Sequence, residues 1–225
     1  MANIMMLLDT SRCIACRACQ VACKQWHSLP AEQTNFTGTY QNPPDLSGKN
    51  LTLIRFNEFL DKKGMPRWLF FIDRCRHCIT PRCKDACPDG VEITEEGFVV
   101  FNHEANPENC RIPMESACPY NIPRFNEDLD QYVKCDFCFD RFKPSAKPIT
   151  MKNGGKPTTA CELACPVGAI FTGDYRTVLG EAVNRLNELR STYPNANIYF
   201  GGYGGIGHVI WLLAEEPTKY NLGTI

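Results

Sequence analysis

Cys13-Ile14-Ala15-Cys16-Arg17-Ala18-Cys19-Gln20-Val21-Ala22-Cys23 is the stretch that decides the fold. It reads C-x2-C-x2-C-x3-C, a spacing that wraps three thiolates around one iron–sulfur cube and sends the fourth to a neighbouring cube. A tight loop can aim several sulfurs at one centre. The same closeness disfavours disulfides, because cysteines this near in sequence do not easily reach bridge geometry with one another. The stretch therefore points to an electron wire.

Working outward, the theme repeats. A second group is Cys75-x2-Cys78-x4-Cys83-x3-Cys87-Pro88, and a third retains only Cys110 and Cys118-Pro119. A fourth is Cys135-x2-Cys138, then a long gap, then Cys161-x3-Cys165-Pro166. Proline after the terminal cysteine recurs in the last three groups and fits the bacterial ferredoxin pattern. A repeated unit is a stronger indication than any single motif.

Crossing ligation, in which each cube takes three cysteines from one motif and the terminal cysteine of the paired motif, then gives definite sets. Pairing the first motif with the fourth places one cube on Cys13, Cys16, Cys19 and Cys165, and its companion on Cys135, Cys138, Cys161 and Cys23. Pairing the second with the third places a cube on Cys75, Cys78, Cys83 and Cys118. A fourth cube would need cysteines at positions held by Glu108, Arg111 and Met114, with Cys110 one residue out of register. The expectation is three [4Fe–4S] clusters and a collapsed fourth site, with Cys87 and Cys110 as buried thiols. Zinc is the competing metal. It favours two C-x2-C knuckles sharing four ligands, which the triplet and the crossing pattern fit less well.

At 225 residues the chain can bury one or two real cores, and 14 cysteines in a chain of this length are not the disulfide scaffold of a small secreted domain. A net charge of -1 gives no reason to expect a nucleic-acid partner. The N-terminal residues lack a basic n-region and a long enough apolar core, so the chain is expected to have no signal peptide of its own. No apolar run reaches the length of about 20 residues that spans a bilayer. The chain is thus expected to be soluble, and either cytoplasmic or carried folded to the periplasm by a partner with an export signal.

Residues 4–8 read as a short buried strand leading into the first cysteine loop, and residues 51–59 and 68–72 as two more strands. Between them, residues 26–50 form a polar stretch that reads as an ordered loop over a cluster or a partner. Residues 91–101 alternate around Gly97 as a hairpin, and residues 169–172 repeat a strand after the last cysteines. Residues 178–189 carry apolar positions at helical spacing, and residues 208–213 read as a final strand. The whole is α+β: two bacterial-ferredoxin-like dicluster modules with inserted loops and a C-terminal helix–strand extension. The iron–sulfur domain spans residues 1–175, with 1–30 plus 131–175 as one module and 71–130 as the other. Residues 176–225 pack on that core or on a partner. The Lys-rich segment 143–157 reads as a solvated loop.

Basic residues crowd the cysteines: Arg12, Arg17, Lys24, Arg74, Arg76, Arg82, Lys84, Lys134 and Arg141. Cations near a negatively charged cube raise its reduction potential, although for any one of them a solvated surface charge is an equal reading. His77 reads as a packed histidine rather than a sulfur donor. Gly202-Tyr203-Gly204-Gly205-Ile206-Gly207 matches G-x-G-x-x-G, but a strand follows it and no βαβ unit fits, so it reads as a glycine-rich turn. No nucleophile–base pair, phosphate loop or open metal site is arranged for catalysis, so there are no catalytic residues to name.

Several segments extend the pattern beyond cysteines: Cys19–Trp26, Gln41-Asn42-Pro43-Pro44-Asp45, Trp68-Leu69-Phe70-Phe71, Cys75–Cys78, Ser116–Arg124 and Lys134–Cys138. Through these the chain resembles the iron–sulfur (beta) subunit of molybdenum- or tungsten-dependent formate dehydrogenases, within the dicluster ferredoxin-type electron-transfer subunits. The resemblance implies a heterodimer of anaerobic metabolism. Its large subunit holds a molybdenum or tungsten bis-pterin cofactor. This chain, not an enzyme by itself, relays electrons to a cytochrome, ferredoxin or similar carrier. The alternative is the same relay beside another molybdopterin or tungstopterin oxidoreductase.

Overall fold

The first strand, β1 (Ile4–Asp9), is apolar at every position but its last, and it is buried on both sides. Alternation along a strand separates its two faces, so each must find its own cover. Met5 and Leu7 pack with Ile210 and Leu212 against Val178, Ala182 and Leu189. Met6 and Leu8 pack with Val209, Trp211 and Leu213 against Phe71, Phe98 and Phe137. One face of the sheet is therefore covered by a helix, the other by the cysteine-bearing half of the molecule.

The computed structural model describes residues 3–102, 116–146 and 155–222. In chain order, α1 (Ala18–Trp26) follows β1, then a hairpin of β2 (Leu53–Leu60) and β3 (Pro66–Asp73), and the short α2 (Arg82–Ala86). Two small antiparallel pairs come next, β4 (Val91–Ile93) with β5 (Val99–Phe101), and β6 (Arg124–Asn126) with β7 (Gln131–Val133). The last third holds α3 (Ala160–Leu163), β8 (Ile170–Asp174), α4 (Tyr175–Leu189), β9 (Asn197–Phe200) and β10 (Val209–Leu213).

The main sheet has the order β8-β1-β10-β9, with β1 and β10 parallel and both outer pairs antiparallel. Residues 176–222 thus contribute a central strand, an edge strand and the covering helix to the sheet that begins the chain. The helix expected from residue 178 starts at Tyr175, because Asp174 ends β8 and caps α4 by accepting from the Thr177 N–H. The β2–β3 hairpin is fastened to the sheet through Trp211. Its ring stacks on Phe71 at 5.2 Å, and its Nε1–H donates to the Ile72 carbonyl at 3.0 Å.

The hairpin at Gly97 forms as its alternation predicts, with Gly97 at φ 92°, a left-handed turn conformation that glycine adopts without strain. In the long polar stretch after α1, Leu29, Leu46 and Leu51 pack beside Cys23, Cys75, Cys118 and Cys135. Two features are not legible in the sequence: the β6–β7 pair, whose strands are only three residues long, and β9, whose side chains are mostly half-buried. Most of the Lys-rich segment 143–157 lies outside the described residues. Among those described, no helix is long and apolar enough to cross a membrane.

Candidate metal centres

Each short helix carries two cysteines one turn apart. In α1, Cys19 and Cys23 stand at i and i+4 on the buried side. Cys161 in α3 and Cys165 just after it are spaced alike, as are Cys83 and Cys87 at α2. Residues four apart share a helix face but sit about a turn apart along the axis, so one helix can serve two neighbouring centres. Helices α1 and α3 pack against each other, which brings the first and fourth motifs together.

The loops before these helices are bent by left-handed residues that are not glycine: Ala15, Arg17, His77, Phe137 and Cys138 all have φ between 47° and 67°. Such bends turn successive N–H groups into one concavity, an arrangement suited to holding anions. The sulfurs receive them. The N–H of His77 points to Cys75 Sγ at 3.4 Å, that of Phe137 to Cys135 at 3.5 Å, and that of Ala169 to Cys165 at 3.2 Å. The glycine-rich turn, expected to be only a turn, supplies a fourth: the Tyr203 N–H points to Cys78 Sγ at 3.2 Å. Nothing in the motif spacing announces this contact, because 125 residues separate the partners.

Electrostatic influence links neighbouring thiols within and across the expected sets. Cys13 feels Cys165 and Cys16, and Cys19 feels Cys161, Cys13 and Cys165. Cys23 feels Cys135 and Cys161, and Cys138 feels Cys161 and Cys23. Cys75, Cys78 and Cys118 act on Cys83, and the same four line one small cavity with Lys134, Val99 and Ile122. Burial raises the thiol of Cys13 to about 11, Cys19 to about 12, Cys78 to about 11 and Cys83 to about 12. Buried thiols are therefore protonated at neutral pH unless a positive centre draws off the proton.

Four of the nine basic residues are buried: Arg74, Arg76, Lys134 and Arg141. Arg74, 1% exposed, donates to Cys135 Sγ at 2.7 Å, Cys161 Sγ at 3.0 Å and Met6 Sδ at 3.2 Å. Lys134 donates to the carbonyls of Val99 and Cys135. The other basic residues have partners away from sulfur: Arg12 faces Asp9, Arg17 the Tyr40 carbonyl, Lys24 the Pro30 and Lys49 carbonyls, and Arg82 the Tyr203 ring. Arg76 pairs with Asp73, Lys84 bonds the Pro88 and Val91 carbonyls, and Arg141 bonds Thr158 and lies over Trp26. His77 is fully buried between Phe98 and Phe137, with Nδ1 accepting from the Val99 N–H, so its ring serves the core.

A buried set of soft thiols, backbone N–H groups aimed at their sulfurs and buried cations nearby suits an iron–sulfur cube. The ligand atoms of His27, Asp136 and Cys138 also lie within 4.8 Å of one another. There, however, Asp136 is engaged by His27 at 3.3 Å and by the Cys138 N–H at 2.8 Å.

Comparison with known proteins agrees with this chemistry. Two family models described as 4Fe-4S dicluster domains match residues 12–91 and 66–175. Formate dehydrogenase 2 subunit beta (cytochrome c-553) of Nitratidesulfovibrio vulgaris is 40% identical, covering 95% of this chain and 94% of the relative. The chain belongs to the formate dehydrogenase iron–sulfur subunit family. Formate dehydrogenase subunit beta of Megalodesulfovibrio gigas is also 40% identical, over 95% of both chains. At greater distance, the B subunit of the anaerobic dimethyl sulfoxide reductase of Escherichia coli is 29% identical over 84% of each.

As a family member the chain is an electron-transfer subunit built on 4Fe-4S dicluster domains in an α+β fold. One expectation needs correcting within it. Cys87 is buried but disulfide-bonded, not a free thiol. Its neighbourhood of Val91, Val99 and Tyr132 is apolar, and a covalent bridge there leaves no polar group to satisfy. Cys110 lies outside the described residues, as do Glu108, Arg111 and Met114.

Proposed function

We propose that this chain carries three [4Fe–4S] clusters and relays electrons from the pterin–metal catalytic subunit of a formate dehydrogenase to an external acceptor. The ligand sets are Cys13, Cys16, Cys19 and Cys165; Cys23, Cys135, Cys138 and Cys161; and Cys75, Cys78, Cys83 and Cys118. The reading is supported by twelve free cysteines among the described residues, as many as three four-thiolate sets require, and by the disulfide that takes up the remaining described cysteine. The clusters supply one-electron exchange, and the chain itself is non-catalytic.

The protein's own residues hold and tune. The left-handed loops present N–H groups to the sulfurs, Arg74 and Lys134 offset negative charge, and the β2–β3 hairpin helps exclude water. Cys16 is exposed beside Ile14, which leaves the first set nearest the surface.

The test is formate-dependent reduction of a viologen dye by the complex co-purified anaerobically on this chain, with iron counted. Activity that vanishes when the large subunit is separated, with about 12 irons per chain, supports the proposal. A brown, metal-replete complex inert to formate retains the relay and discards formate. The catalytic partner is then another pterin-dependent oxidoreductase, a reading that the similarity to the dimethyl sulfoxide reductase subunit favours. Close to 16 irons refutes the collapsed fourth site.

A further inference from the structure

Arg74 directly precedes Cys75, and Lys134 directly precedes Cys135. Sequence adjacency assigns each cation to the motif it opens. The side chains do otherwise. Arg74 reaches across to Cys135 and Cys161, while Lys134 lines the cavity of Cys75, Cys78, Cys83 and Cys118. Lys134 is held in that direction by the Val99 carbonyl, and Val99 lines the same cavity.

We propose that Arg74 and Lys134 are crossed tuning residues, each setting the reduction potential of the cluster whose motif it does not belong to. This rests on the ligand sets proposed above. Reduction adds one negative charge to a cube, and a fixed cation beside its ligands favours the reduced form. Neither cation has a carboxylate partner among the described residues, so its field is not spent on a local ion pair. The crossing links the two centres: each motif carries the electrostatic control of its neighbour.

The test is an anaerobic redox titration followed by electron paramagnetic resonance on the complex of this chain with its catalytic subunit. Cys83→Ser and Cys138→Ser first identify which signal belongs to which centre. Arg74→Gln is expected to disfavour reduction at the Cys138-marked centre about tenfold, a fall of about 59 mV for one electron, with the Cys83-marked centre changed far less. Lys134→Gln is expected to do the reverse. The charge-keeping Arg74→Lys and Lys134→Arg recover most of each potential, which a purely structural role would not require. If Arg74→Gln loses its cluster, Lys134→Gln still decides whether the shift falls on the centre across from its motif. Shifts at the centre adjacent in sequence, equal shifts at both, or none overturn the crossing while leaving the clusters assigned. If Cys83→Ser and Cys138→Ser alter one and the same signal, the ligand sets fail, and the crossing fails with them.

Discussion

Removing the clusters should unfold this chain, and the reason lies in Arg74 and Lys134. Once the cubes are gone, burial keeps the surrounding thiols protonated: Cys19 and Cys83 near 12, and Cys23, Cys135 and Cys138 also raised. The two cations then face neutral sulfur. An uncompensated buried charge costs about 3–5 kcal/mol, so the pair costs about 6–10 kcal/mol. Whole domains are stable by only about 5–15 kcal/mol. The perturbation is anaerobic oxidative removal of iron with a chelator, and the assay is amide hydrogen exchange in β3, β7 and the loops they deliver. The apo chain should lose protection there. Arg74→Met with Lys134→Met should restore much of it in the apo state, although the same double substitution weakens the loaded state. Wild-type apo protein as protected as the loaded form would refute the reasoning, as would a double variant no better than wild type.

Tyr220→Phe breaks a chain of bonds in which the Ala214 N–H donates to Tyr220, Tyr220 to Thr10, and Thr10 to the Leu212 carbonyl. It should cost about 1–3 kcal/mol, lowering the melting temperature by about 2–4 °C per kcal/mol in loaded protein. Gly97→Ala places a methyl group against the His208 ring at a left-handed φ of 92°, and displaces the bond from His208 Nδ1 to the Ile4 carbonyl. A loss of about 2 kcal/mol or more should appear in the same melting assay. Burial pushes the Asp45 carboxyl up, but Arg55, the Leu46 N–H and Arg124 outweigh it and hold its pKa below the usual range. A depressed folded pKa gives stability that is present above the unfolded value of about 3.9 and lost as pH falls through the folded one. Asp45→Asn should therefore lower the melting temperature at pH 7, and the gap to wild type should close in acid.

The 4Fe-4S dicluster character is readable because closely spaced cysteine groups have one economical use, and β1, the hairpins and α4 are readable from apolar period. Strands β6 and β7 escape because, unlike the equally short β4 and β5, their three-residue strands have no turn glycine between them to mark a hairpin. The role of Tyr203 escapes for a different reason: it acts through a backbone N–H, which every residue but proline carries. Among nine basic residues near cysteines, Arg74, Arg76, Lys134 and Arg141 are buried. Of these, Arg74 donates to two sulfurs outside its own motif while Lys134 lines the cavity of the second, and only the packing of β3 and β7 reveals it. Cys87 reads as a thiol because its bridge falls outside any ligand spacing.

The parallel pairing of β1 with β10 has a consequence for how the molecule is made. Met6 finds its partner in Val209 only after about 200 further residues have left the ribosome. At about 5–20 residues per second, the opening strand waits about 10–40 s for its neighbour. During that interval the most apolar strand and the first thiols are exposed together, without sheet or metal to shield them. If the first centre takes Cys165 as proposed, metal insertion there follows synthesis of most of the cysteine groups, and a chaperone or the partner subunit has a defined window in which to act.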